Sequence, residues 1–161
     1  MKPGIARQLS AAAALAAATI SSTANAACWS PQAVEAAQVR DMETMLMVAS
    51  LRCRISGVDF LESYNGFVRG SRPALTLAND RLRTHFAPQG GLNAYDRYVT
   101  SIANRYGGGV EGLACSDMQS ILSAAAAEGN SLPGLVRLAR AAQVEPRLPG
   151  SACPATLVAA R

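Results

Sequence analysis

Six polar side chains near the middle of the chain form the best candidate for a binding surface: Asn65, Arg69, Arg72, Asn79, Arg83 and His85. Two Asn–Arg pairs among them are spaced by four residues, which places both members on one helix face. Guanidinium groups donate in a planar fork that matches carboxylate or phosphate. The pattern predicts an arginine-bearing surface between two helices for an anionic ligand. An ordinary solvated face, with Asp80 and Glu62 as counter-charges, is the favoured alternative.

Nucleophilic catalysis would require a serine or cysteine beside a general base. His85 is the only histidine, and no serine lies in a G-x-S-x-G elbow. The cysteines are expected to be oxidised and therefore not to act as nucleophiles. His85 lies near the end of a helical segment, where histidine commonly interacts with the last carbonyls and the helix dipole. The sequence therefore indicates no catalytic residue of this kind.

Gly107, Gly109 and Gly112 match the G-x-G-x-x-G pattern of dinucleotide-binding loops. Such a loop binds pyrophosphate only between a strand and a helix, where backbone N–H groups and the helix N-terminus meet the phosphates. Residues 101–106 instead continue a helical pattern. We interpret the glycines as a helix stop followed by a flexible connection, and we expect no cofactor.

Glu62-Ser63 and the later Tyr106-Gly107-Gly108-Gly109 resemble parts of the lytic transglycosylase family. In that family a buried acid on a helix protonates the glycosidic oxygen. The resemblance implies glycan cleavage with Glu62 as the acid. It covers a handful of positions, and the family's Gly-Leu-Met-Gln element is missing because Ala114-Cys115 follows Gly112-Leu113. Glu62 also fits a structural role at a helix start.

The four cysteines predict two disulfides: Cys28, Cys53, Cys115 and Cys153. An even number of cysteines in an exported chain is typical of disulfide bonding. No two of them form a C-x-x-C pair, and one histidine is available. A zinc site is therefore not expected.

The first 26 residues have the three parts of a secretory signal peptide. Lys2 and Arg7 give a positive start, an Ala-rich apolar run follows, and Ala24-Asn25-Ala26 offers small residues at a cleavage site. The apolar run is shorter than the roughly 20 residues that cross a bilayer. We expect cleavage near Ala26, then a helical domain over 27–145 and an extended tail over 146–161 that Cys153 holds in place.

The charge of the chain argues against nucleic acid as a partner. The whole sequence has 15 basic and 11 acidic residues. Loss of Lys2 and Arg7 with the signal peptide leaves 13 against 11, a net charge of only +2, without a basic run. Attraction to polyanions is therefore weak. We also expect no membrane span in the mature chain.

The first helix has the clearest sequence signals. Ser30 is a good N-cap, and Pro31 occupies the first helical position, where its missing N–H is tolerated. Trp29 and Val34 have the positions of a hydrophobic staple. One apolar stripe then recurs at spacings of three and four: Val39, Met42, Leu46, Ala49 and Cys53.

Apolar residues recur at helical spacing in further segments that begin at or near Asp59, Ser71, Asn93, Ser116 and Leu132. Glycine or proline ends each one, at Gly70, Pro88, Gly107, Gly129 and Pro146. Asp59 and Glu62 have the spacing of a capping box at the second helix, and Ser116 with Gln119 has it at the fifth. The sequence predicts an all-α bundle of about five to six amphipathic helices stapled by two disulfides.

The length of the first helix limits the disulfide pairing. At about 1.5 Å per residue, an unbroken helix over 31–55 separates Cys28 from Cys53 by more than about 30 Å. A disulfide requires Cα atoms within roughly 7 Å. Two pairings remain open: Cys28–Cys115 with Cys53–Cys153, or Cys28–Cys153 with Cys53–Cys115.

Three short motifs follow one another along the chain: Tyr64-Asn65-x-Phe67, Leu82-Arg83-x-His85-Phe86 and Tyr95-Asp96-x-Tyr98. In this order the chain resembles a group of small exported proteins of unknown function from Gram-negative bacteria. The resemblance implies a cell-envelope location and a helical domain with two disulfides, and it implies no activity. We expect a non-enzymatic periplasmic or secreted binding protein for an envelope component or an anionic ligand. The alternatives are the glycan-cleaving enzyme and a structural or assembly factor.

Overall fold

The computed structural model describes residues 28–154, which form six α-helices and no strand. In chain order the helices are α1 (Pro31–Ile55), α2 (Leu61–Gly70), α3 (Arg72–Phe86), α4 (Gly91–Tyr106), α5 (Cys115–Glu128) and α6 (Leu132–Ala141), with a 3-10 turn (Ala87–Gln89) between α3 and α4. The predicted all-α bundle with two disulfides is confirmed. The predicted signal peptide, residues 1–26, lies outside the described residues.

Helix α1 is the central element of the bundle and contacts each of the five other helices. It begins as predicted, since the Ser30 side chain accepts a hydrogen bond from the Ala33 N–H at 3.2 Å and Pro31 follows. The predicted stripe is buried throughout: Val39, Met42, Leu46, Ala49 and Cys53. Because the other helices surround α1, its remaining faces are also largely buried.

Two predicted capping boxes are wrong. At α2 the Asp59 carboxylate accepts from the Leu61 N–H at 3.1 Å, but Phe60 is the residue before the helix and Glu62 is exposed. At α5 the N-cap is Ala114 and the helix begins at Cys115, so the cap lies two residues before the predicted Ser116. The Asp117 carboxylate therefore accepts from the Ala114 N–H at 2.8 Å. Asp117 thus has the third helical position, which was predicted for Gln119, and Ala114 has the N-cap position that was predicted for Ser116.

The disulfides are Cys28–Cys153 and Cys53–Cys115, with Cα atoms 4.7 Å and 5.7 Å apart. The exclusion of a Cys28–Cys53 bond is confirmed, and the second of the two open pairings is the one formed. One bond joins the residues before α1 to the chain after α6. The other joins the end of α1 to the start of α5.

Residues 146–154 contain no helix and run back across the start of α1; we name them the C-terminal strap. The Trp29 N–H donates to the Ser151 carbonyl at 3.0 Å, and the Cys153 N–H donates to the Trp29 carbonyl at 2.9 Å. The Trp29 indole N–H donates to the Pro149 carbonyl at 2.9 Å. One buried tryptophan and one disulfide thus hold the strap on the bundle.

Within residues 28–154, no helix combines the length and the apolar character that crossing a membrane requires.

Candidate functional site

The C-terminal strap forms one wall of a cavity of about 520 Å³, which we name the strap cavity. Its other walls come from the end of α3, the 3-10 turn and α4. The lining residues are Phe86, Gln89, Ala94, Arg97, Tyr98, Ser101, Arg147, Leu148 and Pro149. A volume of this size is within the range of small-molecule sites.

The base of the strap cavity is aromatic and buried. Phe86 and Tyr98 are 3% and 6% exposed, and their ring centroids lie 5.2 Å apart. The Trp29 ring lies 5.7 Å from each of them, so it supports this base from inside the bundle. Because the rings pack mainly on one another, the base offers a ligand a rigid apolar contact of small area.

Two arginines line the strap cavity, Arg97 on α4 and Arg147 on the strap. Both residues are exposed, and neither enters an ion pair within the described residues. No lining residue is acidic, and Gln89 and Ser101 add neutral hydrogen-bonding groups. The cavity therefore combines an apolar base with uncompensated positive charge, an arrangement suited to an organic anion.

His85 lies next to this cavity and packs against Trp29. The two ring centroids are 3.8 Å apart, and the Gln89 side-chain amide lies 3.1 Å from His85 Nε2 and donates to the His85 carbonyl at 3.0 Å. Burial lowers the pKa of His85 below its ordinary value. A neutral imidazole can accept from Gln89, so His85 helps to position a residue that lines the cavity.

The predicted arginine surface is distributed over separate environments. The side chains of Asn65, Arg69 and Arg72 are exposed and enter no side-chain hydrogen bond or ion pair within the described part of the chain. Asn79 accepts from the Tyr95 hydroxyl at 3.1 Å, and Arg83 lies 5.6 Å from the Tyr95 ring centroid.

His85 does not join that face because it lies two residues beyond Arg83, about 200° further round the helix. This rotation turns its ring toward Trp29. Of the predicted surface, Asn79 and Arg83 on α3 thus contact Tyr95 of α4, while Asn65 and Arg69 on α2 and Arg72 at the start of α3 are exposed.

Glu62, the candidate acid, is exposed and does not line the strap cavity. A glycosidase acid owes its raised pKa to burial. Glu62 therefore lacks the setting on which the lytic transglycosylase resemblance depends.

A buried polar group that sequence reasoning missed lies between α1 and α4. Asp41 is fully buried, and its carboxylate accepts from Arg105 Nη2 and from the Tyr106 hydroxyl. Burial, and then the bond to Asp41, raises the pKa of Tyr106. Burial alone would lower the pKa of Arg105, but the bond to Asp41 raises it. The signal in the sequence is that Ala37, Asp41 and Thr44 follow the helical spacing of a second buried stripe.

Gly107, Gly109 and Gly112 connect α4 to α5 and have no strand before them in the part that the structure describes. They therefore lack the strand–loop–helix arrangement of a dinucleotide site. Residues 28–154 also contain no group of three His, Cys, Asp or Glu side chains that could hold a metal ion.

Comparison of the chain with protein-family models, with curated protein sequences and with solved structures gave no match.

Proposed function

We propose that this protein is an exported, non-enzymatic binding domain of the cell envelope that binds a small organic anion in the strap cavity. The observation that carries the proposal is the pair formed by Arg97 and Arg147. They line an aromatic cavity that has no acidic lining residue. A carboxylate or phosphate would accept from these guanidinium groups while an apolar part of the ligand packs on Phe86 and Tyr98.

The disulfides support the proposed location. Two covalent bonds between cysteines distant in the sequence form and persist in oxidising compartments such as the periplasm. The Cys28–Cys153 bond also holds the strap that supplies Arg147. Cleavage of the signal peptide near Ala26 would leave Cys28 close to the new N-terminus and able to close this bond after export.

Trp29 provides a direct measurement of binding. It is the only tryptophan of the chain, and its ring lies 5.7 Å from that of the cavity-lining Tyr98. We would titrate the oxidised mature chain with benzoate, with phenyl phosphate and with the neutral analogue benzamide, and follow tryptophan fluorescence and heat. The proposal predicts saturable binding of an anion and weaker binding of benzamide.

Matched arginine variants test where the anion binds. Arg97→Gln with Arg147→Gln should weaken anion binding by about tenfold or more, because charge-assisted hydrogen bonds contribute about 1.5–3 kcal/mol each. Arg69→Gln with Arg83→Gln removes the same charge from the surface that the sequence predicted and should leave the affinity unchanged. Absence of binding by every anion, or equal losses in the two double variants, would overturn the proposal.

A further inference from the structure

A second cavity, of about 470 Å³, lies at the other end of α1, and we name it the disulfide cavity. It is bounded by the C-terminal half of α1, the loop 107–114 and the start of α5. Its floor is apolar and buried: Met45, Ala49, Cys53 and Met118. The Cys53–Cys115 bond is part of this lining. Thioether and disulfide sulfur are soft and polarisable, and methionine side chains adapt to an irregular apolar guest.

The only basic residue that lines the disulfide cavity is Arg52. Its Nη1 donates to the Gly107 carbonyl, and Arg52 enters no ion pair within residues 28–154. Glu111, the only acid in the lining, likewise forms no ion pair there. Gly109 has a φ of +97°, and a Cβ atom there would lie 3.5 Å from Arg52 Nη2. The loop backbone thus comes close to a guanidinium group that still has donors free for a ligand.

Large apolar side chains are exposed around this end of the molecule. Leu113 lines the cavity and is 37% exposed, while Leu51 and Ile55, on the last turns of α1, are 51% and 90% exposed. These are three of the five large apolar side chains that are exposed in the described chain. Leu51 and Ile55 are four residues apart and share one face of α1 outside the cavity lining, so Leu113 is the one of the three that lies at the cavity.

We infer that the disulfide cavity is a second ligand site, which binds one molecule of a single-chain anionic amphiphile. The alkyl chain lies on the methionine and disulfide floor and leaves past Leu113, and the anionic headgroup accepts from Arg52. The headgroup is assigned to Arg52 because the Gly107 carbonyl holds its guanidinium beside the loop that lines the cavity, whereas no hydrogen bond or ion pair within residues 28–154 holds the carboxylate of Glu111 there. This site shares no lining residue with the strap cavity, so it does not depend on the function proposed above.

Displacement of a fluorescent fatty acid from the oxidised full mature chain tests the inference. Dodecanoate, below its micelle concentration, should displace the probe with one-to-one stoichiometry, and dodecanol should bind more weakly. Arg52→Gln should weaken dodecanoate binding by about tenfold and leave dodecanol binding unchanged. Arg54→Gln is the matched control, since Arg54 lies on the same turn, outside the lining, and should change neither.

Ala49→Leu, which fills the floor, should abolish the binding of both ligands. Circular dichroism and the thermal midpoint must show that this variant folds. The Arg52→Gln comparison does not depend on the Ala49→Leu variant, because Arg52 is exposed and its replacement should not disturb the fold. The inference is overturned if dodecanoate does not displace the probe. It is also overturned if Arg52→Gln weakens both ligands equally, or if the chain binds only anionic phospholipid vesicles and not the monomeric amphiphile.

Discussion

Arg105 of α4 donates to the carboxylate of Asp41, which is fully buried on α1. The same carboxylate accepts from the Tyr106 hydroxyl, and the Arg105 guanidinium lies 4.8 Å from the Tyr106 ring centroid. A buried charge of this kind is tolerated because it is paired and hydrogen-bonded. The pair therefore fixes how α4 packs along α1, between the two cavities.

Removing the Asp41 carboxylate should be strongly destabilising. Asp41→Ala leaves the largely buried Arg105 without its partner, and the loss of one member of a buried pair costs about 3–5 kcal/mol. Urea denaturation measures the free energy of unfolding. Asp80→Ala is the control, since Asp80 is exposed on α3 and should cost less than about 1 kcal/mol. Equal losses in the two variants would contradict this account of the pair.

The two disulfides should differ in what they do for the strap cavity. Replacing Cys28 and Cys153 together by Ser should lower the free energy of unfolding by about 2–5 kcal/mol. It should also weaken anion binding by about tenfold, because the strap that carries Arg147 loses its covalent anchor. Replacing Cys53 and Cys115 by Ser should lower the free energy of unfolding by a similar amount. It should leave the binding of benzoate or phenyl phosphate in the strap cavity intact. Titration of each double variant with the anion, followed by Trp29 fluorescence, compares the two disulfides. Equal affinity in the two double variants would contradict the prediction.

His85 should make the protein less stable in mild acid. Burial lowers its pKa in the folded state, so as pH falls below about 6.5 the unfolded chain takes up the proton first. The contribution of neutral His85 is fully present above the unfolded pKa and is lost as pH falls through the folded pKa. Urea unfolding at pH 7.5 and 5.5 measures this loss. His85→Phe keeps a ring against Trp29 and should reduce the difference in the free energy of unfolding between pH 7.5 and pH 5.5. If that difference is unchanged in the variant, other groups cause it.

Glu62 should not support glycan cleavage. It is exposed and lines neither cavity, so it lacks the enclosed apolar site in which a glycosidase acid acts. Incubation of the mature chain with peptidoglycan should release no soluble muropeptides. Release that disappears in Glu62→Gln would restore the enzymatic alternative.

The helices could be predicted because each carries its own local signal. In α1, apolar residues recur every three or four positions from Val39 to Cys53. Ser30 and Pro31 mark the start of this helix. Caps were less certain because neighbouring side chains compete for the same N–H groups. At α5, Asp117 and Gln119 can each serve as the third helical residue, and a shift of two residues in the N-cap decides which one accepts from the cap N–H.

The disulfide pairing and the site depend on where distant segments meet. The length of α1 excludes a Cys28–Cys53 bond. The choice between the two remaining disulfide pairings depends on the path of the strap toward Trp29. Arg97 and Arg147 come from segments 50 residues apart, and neither belongs to a recognisable motif. Asn79 and Arg83 both contact Tyr95, and this contact depends on how α4 packs on α3, which the local pattern of α3 does not contain.

The Cys28–Cys153 bond also has a mechanical consequence. It joins points just before the first helix and after the last, with Cα atoms 4.7 Å apart, so tension applied to the polypeptide at these two positions passes through the covalent link and not through the helices. Any sequence attached on either side leaves the domain at one place on its surface, and the bundle cannot be stretched open from that place while the link is intact.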